Sequence, residues 1–193
     1  MSDELRSQVI AAARQLFMAR GYDAVGMREI AQAVGKQPVQ VYRLALSKSD
    51  ILAEVIIALN EDQIAQVPVL LRRIKARALP ERISAYLREL YALDIASLPI
   101  RSVGAAYGWM WSPVHEARVM RQVLQLVQPV ADWLLAAGLD DIPARCMGLW
   151  SLYYVGYRQA VIHGGSADDC LNSIRPSLHY FLQPAHGVAQ ATP

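Results

Sequence analysis

Four histidines, two cysteines and two Asp-Asp pairs are side chains of this sequence with the capacity for catalysis or metal binding, and their spacing gives them little to do. His115, His163, His179 and His186 form no metal-ligand spacing with Cys146 or Cys170. Two thiols so far apart make a poor disulfide framework, so both are expected reduced and buried. Asp140-Asp141 and Asp168-Asp169 fall at an expected turn and an expected helix start, and no nucleophile is spaced with a base. No catalytic residue, metal or cofactor is therefore expected. Recognition chemistry is better supplied. Gln40 can bond adenine in bidentate fashion, and Arg43 can reach guanine or a phosphate. A second group is aromatic, with Tyr107, Trp109 and Trp111 in one cluster and Trp150, Tyr153, Tyr154 and Tyr157 in another. Such rings suit a flat or greasy ligand oriented by their polar tips, and they equally suit a core. Arg101, His115 and Arg158 can neutralise an anionic ligand, although solvated arginines and a surface histidine are the plainer reading.

Helices must position these groups, because the apolar periodicity is helical nearly everywhere. Val9, Ala13, Leu16 and Phe17 follow an amphipathic stripe that predicts a first helix over about 3–20, ended by Gly21. Met27, Ile30, Ala31 and Val34 repeat the pattern over two turns and close at Gly35. Pro38 suits a first helical position, having no N–H to leave unpaired, and 39–44 can make a third short helix. Ser47 with Asp50 resembles a capping box, after which Ile51, Leu52, Val55, Ile56 and Leu59 line a longer fourth helix. Further helices are predicted around 80–97, 103–111, 114–137, 143–163 and 167–182. Leu98-Pro99, Ser112-Pro113, Gly138 and Gly164-Gly165 separate them, and Pro176 kinks or splits the last. No strand alternation or internal repeat is visible, and the tail from Pro184 reads as frayed. Two short helices joined by a tight glycine turn and buttressed by a longer helix can carry a recognition helix into the DNA major groove, a geometry that plain helical bundles also contain.

The whole chain agrees with a soluble helical protein. Its 193 residues are 54% hydrophobic and 19% charged, enough apolar surface to expect a generous core and a buried subunit interface. Asp3 and Glu4 stand where a secretory signal would be basic, and the uncharged runs 102–114 and 146–157 fall short of the roughly 20 residues of a membrane span. A cytoplasmic protein without a membrane partner is expected. The net charge of +2 lies entirely in residues 1–50, with seven Lys or Arg against five acids, a surplus too small to prove nucleic-acid binding by itself.

The residues Ile10-Ala11-Ala12-Ala13, Leu16-Phe17, Arg20-Gly21-Tyr22, Met27-Arg28-Glu29-Ile30-Ala31, Val34-Gly35, Val41-Tyr42 and Ser47-Lys48 are similar, in order and spacing, to the N-terminal domain of tetracycline-repressor-like (TetR) regulators. The resemblance covers about residues 6–56. It implies an all-α protein with a three-helix helix-turn-helix DNA-binding domain at 1–50, a helical ligand-binding and dimerisation domain at 51–184 and a flexible tail at 185–193. It also implies a DNA face made of Arg28, Lys36, Gln37, Pro38, Val39, Gln40, Tyr42, Arg43 and Lys48. Tyr42 would give its hydroxyl to a phosphate, and Lys48 would add its charge to the positive end of the fourth helix.

The sequence departs from the family pattern in several places. Gly26 stands where a threonine or serine usually caps the second helix, and Gln37 where a serine caps the third. Leu44 and Ala45 replace a histidine and a phenylalanine, so Leu44 or Leu46 must fill the space of the lost ring.

For the C-terminal part the resemblance implies a homodimer joined through the last two helices and an effector pocket. Leu171, Ile174, Leu178 and Phe181, with Leu149, Leu152, Tyr153 and Val155, are the expected interface, although an internal core fits them as well. Tyr107, Trp111, His115, Trp150, Tyr154 and Arg158 are the expected effector contacts, for an apolar or aromatic small molecule. The implied function is a repressor that releases a palindromic operator when it binds this effector. The alternative is a ligand carrier or adaptor of the same fold that has lost DNA binding.

Overall fold

The computed structural model describes residues 2–44 and 46–183, all helix and connecting turn. The substituted position Ala45 and the expected tail 185–193 lie outside the described residues. In chain order the helices are α1 (Ser2–Arg20), α2 (Met27–Ala33), α3 (Pro38–Tyr42), α4 (Lys48–Arg73), α5 (Leu79–Ile95) and α6 (Leu98–Tyr107). A 3₁₀ turn, Gly108–Met110, leads to α7 (Pro113–Ala136), α8 (Ile142–His163) and α9 (Ala167–Phe181).

The predicted stops hold where glycine chemistry sets them. Gly21 and Gly35 take φ of 81° and 65°, the left-handed region in which a Cβ would be strained, and each turns the chain out of the preceding helix. Proline was the less dependable signal. Leu98-Pro99, expected as a separator, opens α6 because a proline costs no hydrogen bond in a first turn. The 103–111 helix is accordingly shifted, running as α6 and then the 3₁₀ turn. Pro176 neither splits nor ends α9, and Pro68 lies inside α4.

The chain divides into two compact units, the first taking the sequence through Gln66 together with Leu93–Leu124, the second Val67–Ala92 together with the sequence from Gln125. The first unit is built on one apolar cluster in which Val9, Ala13 and Phe17 of α1, Ile30 and Ala31 of α2, Val41 of α3 and Ile51, Leu52 and Val55 of α4 are wholly buried. Leu46 is buried in this cluster and Leu44 packs on its edge. In the second unit α8 and α9 pack against each other. Leu149, Tyr153, Leu171, Ile174 and Leu178, expected at a subunit interface, are buried within the chain instead, because this pair of helices needs their apolar faces for its own core. The Tyr91 and Tyr153 rings stack at 4.2 Å, Trp150 stacks on Tyr153 at 5.3 Å, and the Tyr91 hydroxyl donates to the Tyr153 carbonyl at 2.9 Å. Cys170 is buried and Cys146 half-buried, neither is in a disulfide, and burial pushes the Cys146 thiol up.

Gly156 of α8 makes this packing possible. A Cβ there would stand 2.2 Å from the Tyr91 hydroxyl and 2.8 Å from the Cys170 carbonyl oxygen, which belongs to α9 backbone and cannot swing away. Alanine in a helix ordinarily gains up to about 1 kcal/mol over glycine. Gly156→Ala should reverse that sign and cost about 2 kcal/mol or more through overpacking, read as a lower denaturant midpoint at unchanged slope. Gly148→Ala meets only the Phe181 ring and should cost less.

Candidate nucleic-acid interface

Three short local arrangements hold α3 in place. Gly26, at the start of α2, has no side chain with which to cap, and Glu29 supplies the missing bond from the other side, accepting from the Gly26 N–H at 2.7 Å. The same carboxylate pairs with Arg20 at 2.6 Å. The Gly26 N–H and then Arg20 hold the Glu29 carboxyl below its ordinary range. At α3 the pattern repeats with an amide. Gln37 makes no side-chain cap, and its N–H donates instead to the Gln40 side-chain oxygen at 2.9 Å. At α4 the predicted box is present: the Ser47 N–H donates to Asp50 at 2.8 Å and the Asp50 N–H to the Ser47 hydroxyl at 3.1 Å. The Ser47 hydroxyl first of all keeps the Asp50 carboxyl low.

With Val41 its one buried residue, α3 turns the rest outward. Gln37, Val39, Gln40, Tyr42 and Arg43 are exposed, Val39 by 55% and Tyr42 by 56%, while Pro38 is half-buried. Arg28 on α2 and Lys36 in the turn are exposed as well. Among the described residues nothing forms an ion pair with Arg28, Lys36 or Arg43, whereas the neighbouring Arg20 is neutralised by Glu29. Lys48, half-buried as the first residue of α4, lies over the Tyr22 ring, 4.1 Å from its centroid. The expected DNA face is thus largely solvent-facing, and its exposed cations Arg28, Lys36 and Arg43 have no ion-pair partner among the described residues. Gln40 differs from expectation in one respect, since its oxygen is already engaged as a cap.

The expected effector residues fall into both units. In the first, Tyr107 packs on the apolar cluster and against Tyr22 at 5.4 Å, Trp111 is half-buried on the same cluster, and His115 is buried. The Trp111 indole N–H is buried without an acceptor among the described residues. In the second, Trp150 stacks in the core, while Tyr154 and Arg158 face solvent. A groove of about 870 Å³ in the first unit is lined by α1, α4 and α7, with Ile10, Met18 and Ile57 on its walls and Glu54 and Arg118 beside them. None of the expected effector residues lines it.

Sequence reasoning missed the polar interior of the first unit. Glu54 is only 5% exposed and accepts from Arg6 of α1 at 2.7 Å and Arg118 of α7 at 2.6 Å, with His115 Nε2 at 3.3 Å. His115 Nδ1 lies 2.9 Å from the Ser112 hydroxyl and 3.6 Å from Asp50. Farther along α4, Arg101 bonds Asn60 and Gln63 and pairs with Asp94 at 3.2 Å, while Gln122 links Asn60 to the Ile57 carbonyl. A charged residue at one helical position in an apolar stripe was the available signal, at Glu54 between Leu52 and Val55.

Residues 9–55 match the model of the bacterial regulatory proteins of the tetR family. The N-terminal domain is a tetR-family domain. Solved structures extend the likeness to the fold of the whole chain. A transcriptional regulator of the TetR/AcrR family from Thermobifida fusca is 23% identical, with 91% of this chain and 96% of that one covered and a TM-score of 0.61. RolR in complex with resorcinol is 17% identical, with 95% and 90% covered and a TM-score of 0.70. FadR from Bacillus subtilis in complex with stearoyl-CoA is 14% identical, with 89% and 96% covered and a TM-score of 0.67. No curated protein matches the chain. No described helix is long and apolar enough to cross a membrane, and no described group of three His, Cys, Asp or Glu residues is placed to hold a metal. In the tetR-family domain the altered positions keep their structural roles by other means, Glu29 and Gln40 reaching back to helix starts that lack a capping side chain.

Glu54 generates a pH prediction for the first unit. Burial opposes its ionisation, but hydrogen bonds from Arg118 and Arg6 outweigh burial and lower its pKa. A depressed carboxylate pKa contributes stability that is complete above the unfolded value of about 4.3 and is lost as pH falls through the folded value. Glu54→Gln should therefore flatten the acid limb of the stability curve below about pH 4. At pH 7 it should cost about 1–3 kcal/mol, towards the lower end because both arginines are about a third exposed. Denaturant titrations of both proteins at several pH values check this.

Proposed function

We propose that this chain is a DNA-binding transcription regulator acting in the cytoplasm as a homodimer, holding a palindromic operator and releasing it when a small ligand binds. The observation that carries the reading is the outward face of α3 bordered by Arg28, Lys36 and Arg43, three cations that no described residue neutralises. Uncompensated charge beside an exposed helix of groove-fitting size is what phosphate and base-edge contact require. Residues 1–50 are the reading part and the helices after them the sensing and dimerising part.

The dimer is assigned to the exposed face of α8. Met147, Tyr154 and Val161 recur every seven residues, flanked by Val155 and Ile162, and all five are exposed although apolar or aromatic. The repeat is what a helix presents to a partner helix. Two recognition helices held about 34–36 Å apart would then enter successive major grooves. In the first unit, effector contact is assigned to Tyr107, Trp111 and His115. Trp150 serves the core stack, and Tyr154 and Arg158 go with the α8 face. Two proteins of the same fold, RolR and FadR, are seen with resorcinol and stearoyl-CoA, which supports a small ligand here. An effector coupling of about 1–3 kcal/mol would be enough to switch operator occupancy by one to two orders of magnitude.

Selection of bound duplexes from random DNA, followed by affinity measurement at two salt concentrations, tests the reading. A palindrome with half-sites one turn apart and a steep salt dependence is the expected outcome. Shallow salt dependence without enrichment would favour a ligand carrier that no longer reads DNA. On the selected operator, Arg43→Ala should cost about 1–3 kcal/mol and relax preference at one base pair per half-site. Val155→Glu, placing a charge in the α8 face, should shift sedimentation from dimer to monomer and weaken binding to the palindrome far more than to a single half-site.

A further inference from the structure

Lys48 and Tyr22 form a contact that neither the family pattern nor the local helix signals predict. The ammonium of Lys48 stands 4.1 Å from the centroid of the Tyr22 ring. Tyr22 itself is 6% exposed and fixed from two sides, edge-on to Phe17 of α1 at 5.2 Å and tilted against Tyr107 of α6 at 5.4 Å. The ring can hold a cation because its face carries negative charge density, yet it does not cancel that charge as a carboxylate would. The contrast is close at hand in Arg20, whose charge is cancelled by Glu29.

We propose that Tyr22 is the positioning residue for Lys48, holding its ammonium at the N-terminus of α4 so that a DNA phosphate meets an already ordered cation. The inference rests on the reading of Lys48 as a phosphate contact. A lysine stem is long and freely rotating, and freezing it opposes each contact it makes. A rigid ring beneath the ammonium freezes the stem in advance and leaves its charge available. The positive end of the α4 dipole acts in the same place. Burial raises the Tyr22 hydroxyl pKa, so the ring stays neutral under the lysine. Glu29 is the carboxylate that senses Lys48, and its own oxygens are taken by Arg20 and the Gly26 N–H.

The test is the salt dependence of binding to a mixed-sequence DNA duplex by the full chain. Each phosphate contact contributes about 0.9 to the slope of log affinity against log salt. Lys48→Ala should lower the slope by about that amount for each subunit on the duplex. Tyr22→Leu, which stays apolar but removes the ring, should lower the slope in the same direction and weaken binding roughly two- to fivefold. Tyr22→Phe should restore both, and adding Tyr22→Leu to Lys48→Ala should change neither further. If Lys48→Ala lowers the slope and Tyr22→Leu leaves it intact, the positioning role is overturned while the phosphate reading stands. If Lys48→Ala itself leaves the slope unchanged, the phosphate reading fails and the inference with it. Should Tyr22→Leu not fold, the wild-type protein decides by NMR: an upfield ring-current shift of the Lys48 side-chain methylenes supports the contact, and its absence overturns it.

Discussion

A helix of five residues has too few internal hydrogen bonds to repay the cost of nucleating it, so α3 exists only because its surroundings hold it. Everything at the N-terminal end follows from that constraint. Val41 is the single anchor into the core, and Leu44 and Leu46 press the chain down immediately after it. Pro38 restricts the first turn in advance, and the Gln37–Gln40 bond closes it. Gly35, with φ of 65°, brings the chain out of α2 sharply enough for the two helices to cross. The capping and turn contributions are each about 1–2 kcal/mol at most, and of the exposed side chains only that of Gln40 is engaged by them, which leaves the others free.

The same unit contains a second constraint, in charge. A carboxylate as buried as Glu54 would cost several kcal/mol without partners, and its partners come from α1 and α7, helices far from it in sequence. The amide and guanidinium layer farther along α4 works in the same way, with Asn60, Gln63 and Arg101 each donating to an acceptor on another helix. Apolar side chains tolerate sliding. Directional bonds of this kind do not, so the polar layer fixes the register of α4, α5, α6 and α7 in the first unit. Fixed register at α6 places Tyr107 against Tyr22, which connects the layer to the lysine at the start of α4.

Much of this architecture was legible in the residues. Glycine stops at 21 and 35, the proline start at 38 and the Ser47-Asp50 box each depend on local geometry, and each appears where the spacing put it. Pro99 misled because proline is forbidden only where its missing N–H is needed, and a first turn does not need it. Pro176 does not split its helix. The apolar residues of α8 and α9 were legible as buried but not as buried against what, since an internal core and a subunit interface select the same side chains. Of the recognition set, all but Pro38 and Lys48, which are half-buried, are exposed. The carboxylate, amide and arginine partners were not legible, because a pairing between Arg6, Glu54 and Arg118 has no local signature.

The Gln40 bond bears on how the α3 face can discriminate among bases. Bidentate reading of adenine needs both the amide oxygen and the amide nitrogen of a glutamine, and brings about 1–3 kcal/mol of discrimination. The oxygen of Gln40 is already satisfying the Gln37 N–H, a cap worth about 1 kcal/mol on a helix with little stability of its own. Turning the amide toward a base therefore gives back much of what the contact would gain, and leaves a backbone donor to find water at a crowded surface. Arg43 makes no such exchange, because no described residue binds its guanidinium. Val39 makes none either, since an exposed aliphatic side chain gains by covering a thymine methyl and gives up no hydrogen bond. If the proposed DNA reading holds, discrimination on this face would fall mainly to Val39 of α3 and Arg43 at its C-terminal cap, with Gln40 serving the helix first and the DNA second.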